Sequence, residues 1–302
     1  MNEFRESLLV MISVPIYLVV IGAELLYSHF YKKGYYSGKG ILSNLYLMLL
    51  NMGLDVLVRG VCLIALNYFY QYHFADLSLQ PILYWTVLIV AEDFLFYWLH
   101  RVDHYCRLFW AVHVTHHNSE EFNLSVGFRS SVFQPLYRFI YFIPLALFGF
   151  KGIDIMFAYS ATQIFGILVH TQSIKKLGVL EYILVTPSHH RVHHGSNVRY
   201  LDKNMGMFLI IWDKLFGTFQ AEEESDPVKY GLTKNIETHH PVTMVFHEWV
   251  NIWRDLKEKN CSLREKLMYL FGPPGWSHDG STKTSAQLRA ELKQKESIDV
   301  RA

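Results

Sequence analysis

"PILYWTVLIVAEDFLFYWLHRVDH", residues 81–104, changes character part-way along. Residues 81–99 are apolar and aromatic apart from Glu92 and Asp93. That is close to the roughly 20 residues needed to cross a bilayer. His100 and His104 follow directly, four apart, and so share one face if the helix continues. The stretch predicts a membrane-spanning helix that delivers two imidazoles to one point at its end.

The rest of the chain suits that reading. It has 302 residues, 51% hydrophobic and 18% charged, where soluble domains carry roughly 25% charged residues. A net charge of +1 gives no basic field for nucleic acid, and no nucleic-acid motif is present. Cys62, Cys106 and Cys261 are too scattered for a disulfide framework or a C-x-x-C metal site. Histidine is the abundant ligand type, with 16 residues.

Further spans are predicted on both sides of residues 81–99. Residues 8–27 form an apolar run with Glu24 near one end; its length, acidic flank and missing A-x-A site argue against a cleaved signal. Residues 41–70 form a longer one, interrupted by Asn51, Asp55 and Arg59, of which Asp55 and Arg59 are spaced to pair on a helix. Residues 132–150 and 153–170 predict a fourth and fifth span, or a re-entrant hairpin. Lys32, Lys33 and Lys39 follow the first span, residues 71–80 hold no Lys or Arg, and Arg101, Arg107, Arg129, Lys175 and Lys176 come later. The positive-inside rule then places the N-terminus outside and every histidine block in the cytoplasm. The expected fold is all-α: a polytopic membrane protein with about 4–5 spanning helices and a cytoplasmic helical cap holding a histidine-ligated dimetal site. Three regions are expected: N-terminal membrane helices at 1–80, a catalytic region at 81–256, and an interfacial helix with a polar tail at 257–302.

The histidines fall into three blocks. His100 and His104 are H-x3-H; His113, His116 and His117 are H-x2-H-H; His190, His193 and His194, within "TPSHHRVHHG", repeat H-x2-H-H. Positions three and four apart converge, whereas adjacent histidines diverge by about 100° on a helix. An adjacent pair therefore suits two neighbouring ions better than one. Eight histidines are too many for one ion, since a catalytic zinc takes three protein ligands and water. One such block alone could be surface decoration, and a pH sensor needs no repeated helical spacing. H-E-x-x-H is absent, which removes a zincin protease. Imidazole suits zinc, copper, iron and nickel alike. With no carboxylate inside the blocks, the soluble Glu-x-x-His di-iron pattern is disfavoured. An all-nitrogen dinuclear site beside a bilayer fits iron activating dioxygen on a lipid.

These blocks, with "DFLFYWLHRVDH", "THHNSEEFNLSVGFRSSV", "LVHTQ", "DKNMGMFLIIWDKLFGTF" and "GPPGW", resemble the membrane fatty acid hydroxylase and sterol desaturase superfamily. Within it the chain is most similar to the alkylglycerol monooxygenases, from about Glu92 to Trp276. The resemblance implies a di-iron centre on His100, His104, His113, His116, His117, His190, His193 and His194, with His170 a ninth ligand and His189 a further candidate. Asp93, Glu120 and Glu121 are candidates to fix ligand orientation, with helix-surface or capping charge as their alternative role. His239, His240, His247 and His278 lie outside the pattern and read as surface residues. The implied reaction is a membrane di-iron, O2-dependent lipid monooxygenation: hydroxylation beside the ether oxygen of an alkylglycerol, releasing fatty aldehyde. A sterol or fatty-acyl desaturase or hydroxylase is the alternative, and a non-catalytic metal-binding membrane protein a third. The family's electron donor is tetrahydrobiopterin; no G-x-G-x-x-G or flavin motif is present, so reductant comes from outside. The expected location is the bacterial inner membrane or endoplasmic reticulum, with the catalytic face cytoplasmic. Metal loss is expected as pH falls through about 6.5, the model histidine value. "GMFLIIWDKLFGTF" and "FHEWVNIWRDLKEK" read as interfacial helices, or as helices packed on the cap, and 277–302 as a solvated flexible tail.

Overall fold

The computed structural model describes residues 2–258 and 261–299, so 259–260 and 300–302 of the expected C-terminal region lie outside it. In chain order the helices are α1 (Asn2–Phe30), α2 (Gly38–Tyr70), α3 (Pro81–Tyr105), α4 (Arg107–His117), α5 (Phe139–Leu147), α6 (Gly152–Leu168), α7 (Pro187–His193), α8 (Ile211–Phe216), α9 (Pro241–Leu256), α10 (Leu263–Phe271) and α11 (Ser285–Asp299). Among the described residues there is no strand, and two isolated bridges, Leu184 with Leu209 and Gly195 with Tyr230, pin the loops flanking α7. The chain is all-helical.

Among the described residues three helices are long and apolar enough to cross a membrane: Met11–Phe30 within α1, α2 and α3. Only 11% of the apolar window of α2 is buried, so most of it faces outward, as a lipid-facing helix does. Ser37 opens α2 by accepting from the Gly40 N–H at 3.0 Å, and Pro81 opens α3 from a position where a missing N–H costs nothing. The Asp55–Arg59 pair forms at 3.0 Å, and Arg138 joins Asp55 from the segment before α5.

The apolar runs at 132–150 and 153–170 resolve differently from two full spans. Residues 134–136 form a 3-10 turn, α5 has nine residues and α6 has 17. At 1.5 Å per residue these helices reach about 14 and 25 Å, short of a hydrocarbon core of about 30 Å. Hydrophobic composition marked them for burial, and they find it against protein. Phe142, Leu145 and Ala146 of α5 with Ile155 and Ala158 of α6 join Leu66, Leu88, Phe96 and Leu99 in one core cluster. The packed hairpin braces the end of α3 that carries the first two histidines.

α4 turns back from α3 at Cys106 and runs to His117. α9 packs on it: Met244, Val245 and Ile252 are buried, Asn118 donates to the Met244 carbonyl, and Arg107 pairs with Glu248 at 2.7 Å and Asp255 at 2.6 Å. On its other side Phe246, Val250 and Trp253 are exposed, so the helix packs on the cap and presents an apolar stripe outward. "GMFLIIWDKLFGTF" is mostly loop, helical only over six residues of α8. Residues 285–299 of the expected flexible tail form α11, tied back by Arg199–Glu296 and by Arg289 to the Leu201 carbonyl.

Candidate metal centre

The short α7 starts at Pro187, behind a capping box in which Thr186 and His189 satisfy each other's backbone donors. One turn later His193 and His194 face the α4 rings His116 and His117, and His190 faces His170. The three blocks and His170 form two groups: His100, His104, His113, His117 and His193; and His116, His170, His190 and His194. Within each group the ligand nitrogens lie within 4.8 Å of one another. α4 sends His113 and His117 to the first group and His116 to the second. α7 and its cap divide likewise, His193 against His190 and His194. The adjacent pairs split between groups, as 100° divergence requires.

The far nitrogens explain how the rings are held. His100 Nδ1 lies 2.8 Å from the Met205 carbonyl, His116 Nδ1 2.7 Å from that of Arg129, His170 Nδ1 2.7 Å from that of Gly166, and His193 Nδ1 3.0 Å from that of Lys203. A carbonyl only accepts, so each of these rings carries its proton on Nδ1 and presents a bare lone pair at Nε2. His116 Nε2 and His170 Nε2 nevertheless face each other at 3.4 Å. Two lone pairs at that distance repel unless a cation lies between them. His100–His113 at 3.0 Å, His117–His113 at 3.1 Å and His190–His170 at 2.9 Å repeat the spacing. Two nitrogens each about 2.1 Å from one ion, at right angles, lie about 3.0 Å apart. The buried Nε2 atoms of His104, His193 and His194 have no hydrogen-bond partner. The donor set fits two imidazole-bound metal ions.

Burial favours the neutral rings that metal needs. Desolvation holds His113, His117, His170, His190, His193 and His194 well below the usual histidine range and brings His116 down to about 4. His189 stays outside both groups: its Nδ1 faces Thr186, and Glu181 lies 3.8 Å from its Nε2.

The supporting carboxylates are mostly not those the sequence marks. Asp93 reaches no histidine; it accepts from the Phe208 and Leu209 N–H groups and from Trp212 Nε1, at 2.9–3.0 Å. Asp213 accepts from Met205, Gly206 and Thr218 at 2.6–2.8 Å. Together they pin the loop whose Met205 carbonyl orients His100. Glu121 accepts from the Ser37 N–H at the head of α2, and Glu120 is exposed. Sequence reasoning missed Asp103, buried 3.9 Å from His113 Nδ1; Asp202, 3.3 Å from His104 Nδ1; and Ser131, 2.9 Å from His113 Nδ1. It also missed Glu24. That buried carboxylate accepts from Tyr36, the Leu124 N–H, Thr171 and Ser173, while Arg191 donates to the Thr171 and Ile174 carbonyls. The turn after His170 is thus clamped by α1 and α7. Of the four outlying histidines, His239, His240 and His278 are exposed, whereas His247 lines a cavity that reaches the cluster. These partners lie tens of residues away in sequence, where no spacing rule operates.

The fatty acid hydroxylase family profile matches residues 85–218, the stretch that holds every one of these nine histidines. Residues 85–218 are similar to the fatty acid hydroxylase family. The chain is 43% identical over 195 residues to human alkylglycerol monooxygenase, covering 64% of this chain and 42% of the relative. It is 38% identical over 227 residues to the Danio rerio alkylglycerol monooxygenase, 74% and 49% of the two chains. It is 28% identical over 158 residues to the ornithine lipid hydroxylase of Rhizobium tropici, 52% and 48%. The chain spans about half the length of the curated relatives it matches. No solved structure matches it. In this region the two histidine groups are the feature around which the loops, the hairpin and the cap are arranged.

Proposed function

We propose that this chain is an integral-membrane, O2-dependent lipid monooxygenase. In this reading the nine histidines hold two iron ions, and the substrate is an alkyl ether of glycerol, hydroxylated beside the ether oxygen to release fatty aldehyde. The observation that carries it is the division of nine histidines, eight of them buried, into sets of five and four with facing ring nitrogens. Similarity to alkylglycerol monooxygenases supports iron over the other imidazole metals and supports the ether substrate. Bound iron would supply the activation of oxygen that an unactivated C–H bond requires. The chain's own work is placement. The rings are fixed by carbonyls, kept neutral by burial and shielded from bulk water. The cluster lies where the apolar part of α3 ends, which supports a substrate bond near the headgroup end of a lipid over a mid-chain carbon. Lysine and arginine placement supports a cytoplasmic catalytic face, in a bacterial inner membrane or endoplasmic reticulum.

The test is fatty aldehyde release from an alkylglycerol by membranes containing the protein, with tetrahydrobiopterin, with and without oxygen, beside His193→Ala. Oxygen-dependent aldehyde that disappears in the variant is expected. No aldehyde from protein carrying two irons transfers the assignment to a sterol or fatty-acyl substrate, a class to which a 29% identical sterol desaturase belongs. Metal binding without turnover of any lipid leaves a non-catalytic metal protein.

A further inference from the structure

Residues 177–183, "LGVLEYI", carry no histidine and lie outside the three membrane-length helices, yet their surface is apolar. Leu177, Val179, Leu180, Tyr182 and Ile183 are exposed, Val179 at 78% and Tyr182 at 72%, and Leu215 of α8 adds to the patch at 67%. Lys214 of α8 joins the two, donating to the Glu181 and Tyr182 carbonyls at 3.3 and 2.9 Å. The one charged side chain in the turn points inward. Glu181 accepts from the Leu177 N–H at 2.9 Å and from the Thr186 and Ser188 hydroxyls at 3.1 and 2.9 Å, where α7 begins. Apolar surface gathered in this way marks contact with a membrane or with another protein.

Depth decides between the two. Ile183 accepts from the Ile210 N–H at 3.0 Å, and Leu184 bridges to Leu209, so the turn is tied to the segment that opens α8. α8 in turn packs on α3. Trp212 donates to Asp93, its ring lies 5.0 Å from that of Phe94, and the Phe216 ring lies 5.1 Å from that of Trp98. Asp93 stands about 10 Å before His100 along α3, at 1.5 Å per residue, within its apolar run. Phe208, from the same segment, packs on Phe165 of α6. The patch is therefore held beside the apolar part of a membrane-length helix. Exposed Lys175 and Lys176 come just before it, a pair of cations suited to an anionic leaflet.

We propose that the 177–183 turn and the outer face of α8 are seated in the leaflet that borders the histidine cluster, their apolar side chains among acyl chains and Lys175 and Lys176 on anionic phospholipid headgroups. Glu181 ties the seated turn to α7, so the element that bears His190 and His193 is anchored to the lipid surface. The placement depends on the membrane reading of α1–α3 and not on the metal chemistry.

The test uses the whole chain, with its three native cysteines replaced, in vesicles of phosphatidylcholine and phosphatidylglycerol. Val179→Cys and, separately, Leu215→Cys carry an environment-sensitive fluorophore. Emission from both is expected to fall when a phospholipid with a nitroxide high on its acyl chain is included, and to resist aqueous iodide. Iodide quenching of either probe overturns the proposal, as does shielding of either from both quenchers, the result expected if a second copy or another protein covers this face. At equal mole fraction, nitroxide-labelled phosphatidylglycerol should quench the Val179 probe more than labelled phosphatidylcholine. Lys175→Ala and Lys176→Ala should each lower that preference about fivefold, the scale of one lysine at an anionic leaflet. Equal quenching by the two lipids in the parent, or a preference that survives both substitutions, overturns it too.

Discussion

His116 comes from α4 and His170 from the turn after α6, and the carbonyls of Arg129 and Gly166 hold each ring's proton on Nδ1, leaving the facing Nε2 atoms bare. Replacing one such ring removes a ligand from one group. For His193→Ala, bound iron is expected to fall from two per chain to one or fewer. His189→Ala should keep both ions and lose only the α7 cap, about 1 kcal/mol of stability; thermal melts with iron assays separate the two outcomes. The shifted histidines also set the acid limit. Above the unfolded value of about 6.5 both states are neutral. As pH falls from there toward about 4, the unfolded chain takes up protons that buried His116 does not, so the folded state loses stability across that window. Denaturant titrations of metal-free protein at pH 7.5 and 5 should show this loss; equal stability would refute it. Metal retention should therefore extend below the 6.5 expected from an unperturbed histidine. Spacing made the convergence of the block histidines legible because i, i+3 and i+4 contacts are local. Asp103, Asp202, Asp213 and the orienting carbonyls were not, because folding alone brings them to the rings.

At the scale of elements, α1 and α11 contribute more than composition suggests. Glu24 sits in a helix readable only as a membrane span, yet it gathers four donors from the segments around His170. Removing a buried acceptor leaves those donors unsatisfied at about 1–3 kcal/mol each. Glu24→Ala is expected to deplete the His116–His170–His190–His194 ion before the other, read as loss of the second iron in a chelator time course. α11 was illegible because it is polar throughout; its anchors are Arg199–Glu296 and Arg289 to Leu201, which no periodicity announces. Ending the chain after residue 284 should expose the cavity and speed removal of iron by a water-soluble chelator about tenfold, at the scale of losing one or two such contacts. In α5 and α6 an apolar run marks what must be buried and not what covers it.

For the whole molecule, three membrane-length helices and a short packed hairpin keep the parity that lysine and arginine placement sets. Ser78, between α2 and α3, and Lys175, after α6, then lie on opposite sides of the membrane. In a background lacking the native cysteines, Ser78→Cys and Lys175→Cys should react with an impermeant maleimide from opposite faces of sealed vesicles. Labelling from one face would overturn the arrangement. The fold class was legible because lipid imposes helices on any apolar span. What covers α5 and α6 was not, since burial in protein and burial in lipid select the same residues.

α4 and α7 each send rings to both groups. On the dimetal reading, filling one group would restrain the two helices that the other needs, so the second ion would meet a scaffold already held in place. Iron uptake by the empty protein should therefore be sigmoidal, with half-filled chains scarce at every stage of the titration. In a cell short of iron, the population would divide into fully armed and wholly empty molecules, and output would follow the number of complete centres rather than average occupancy.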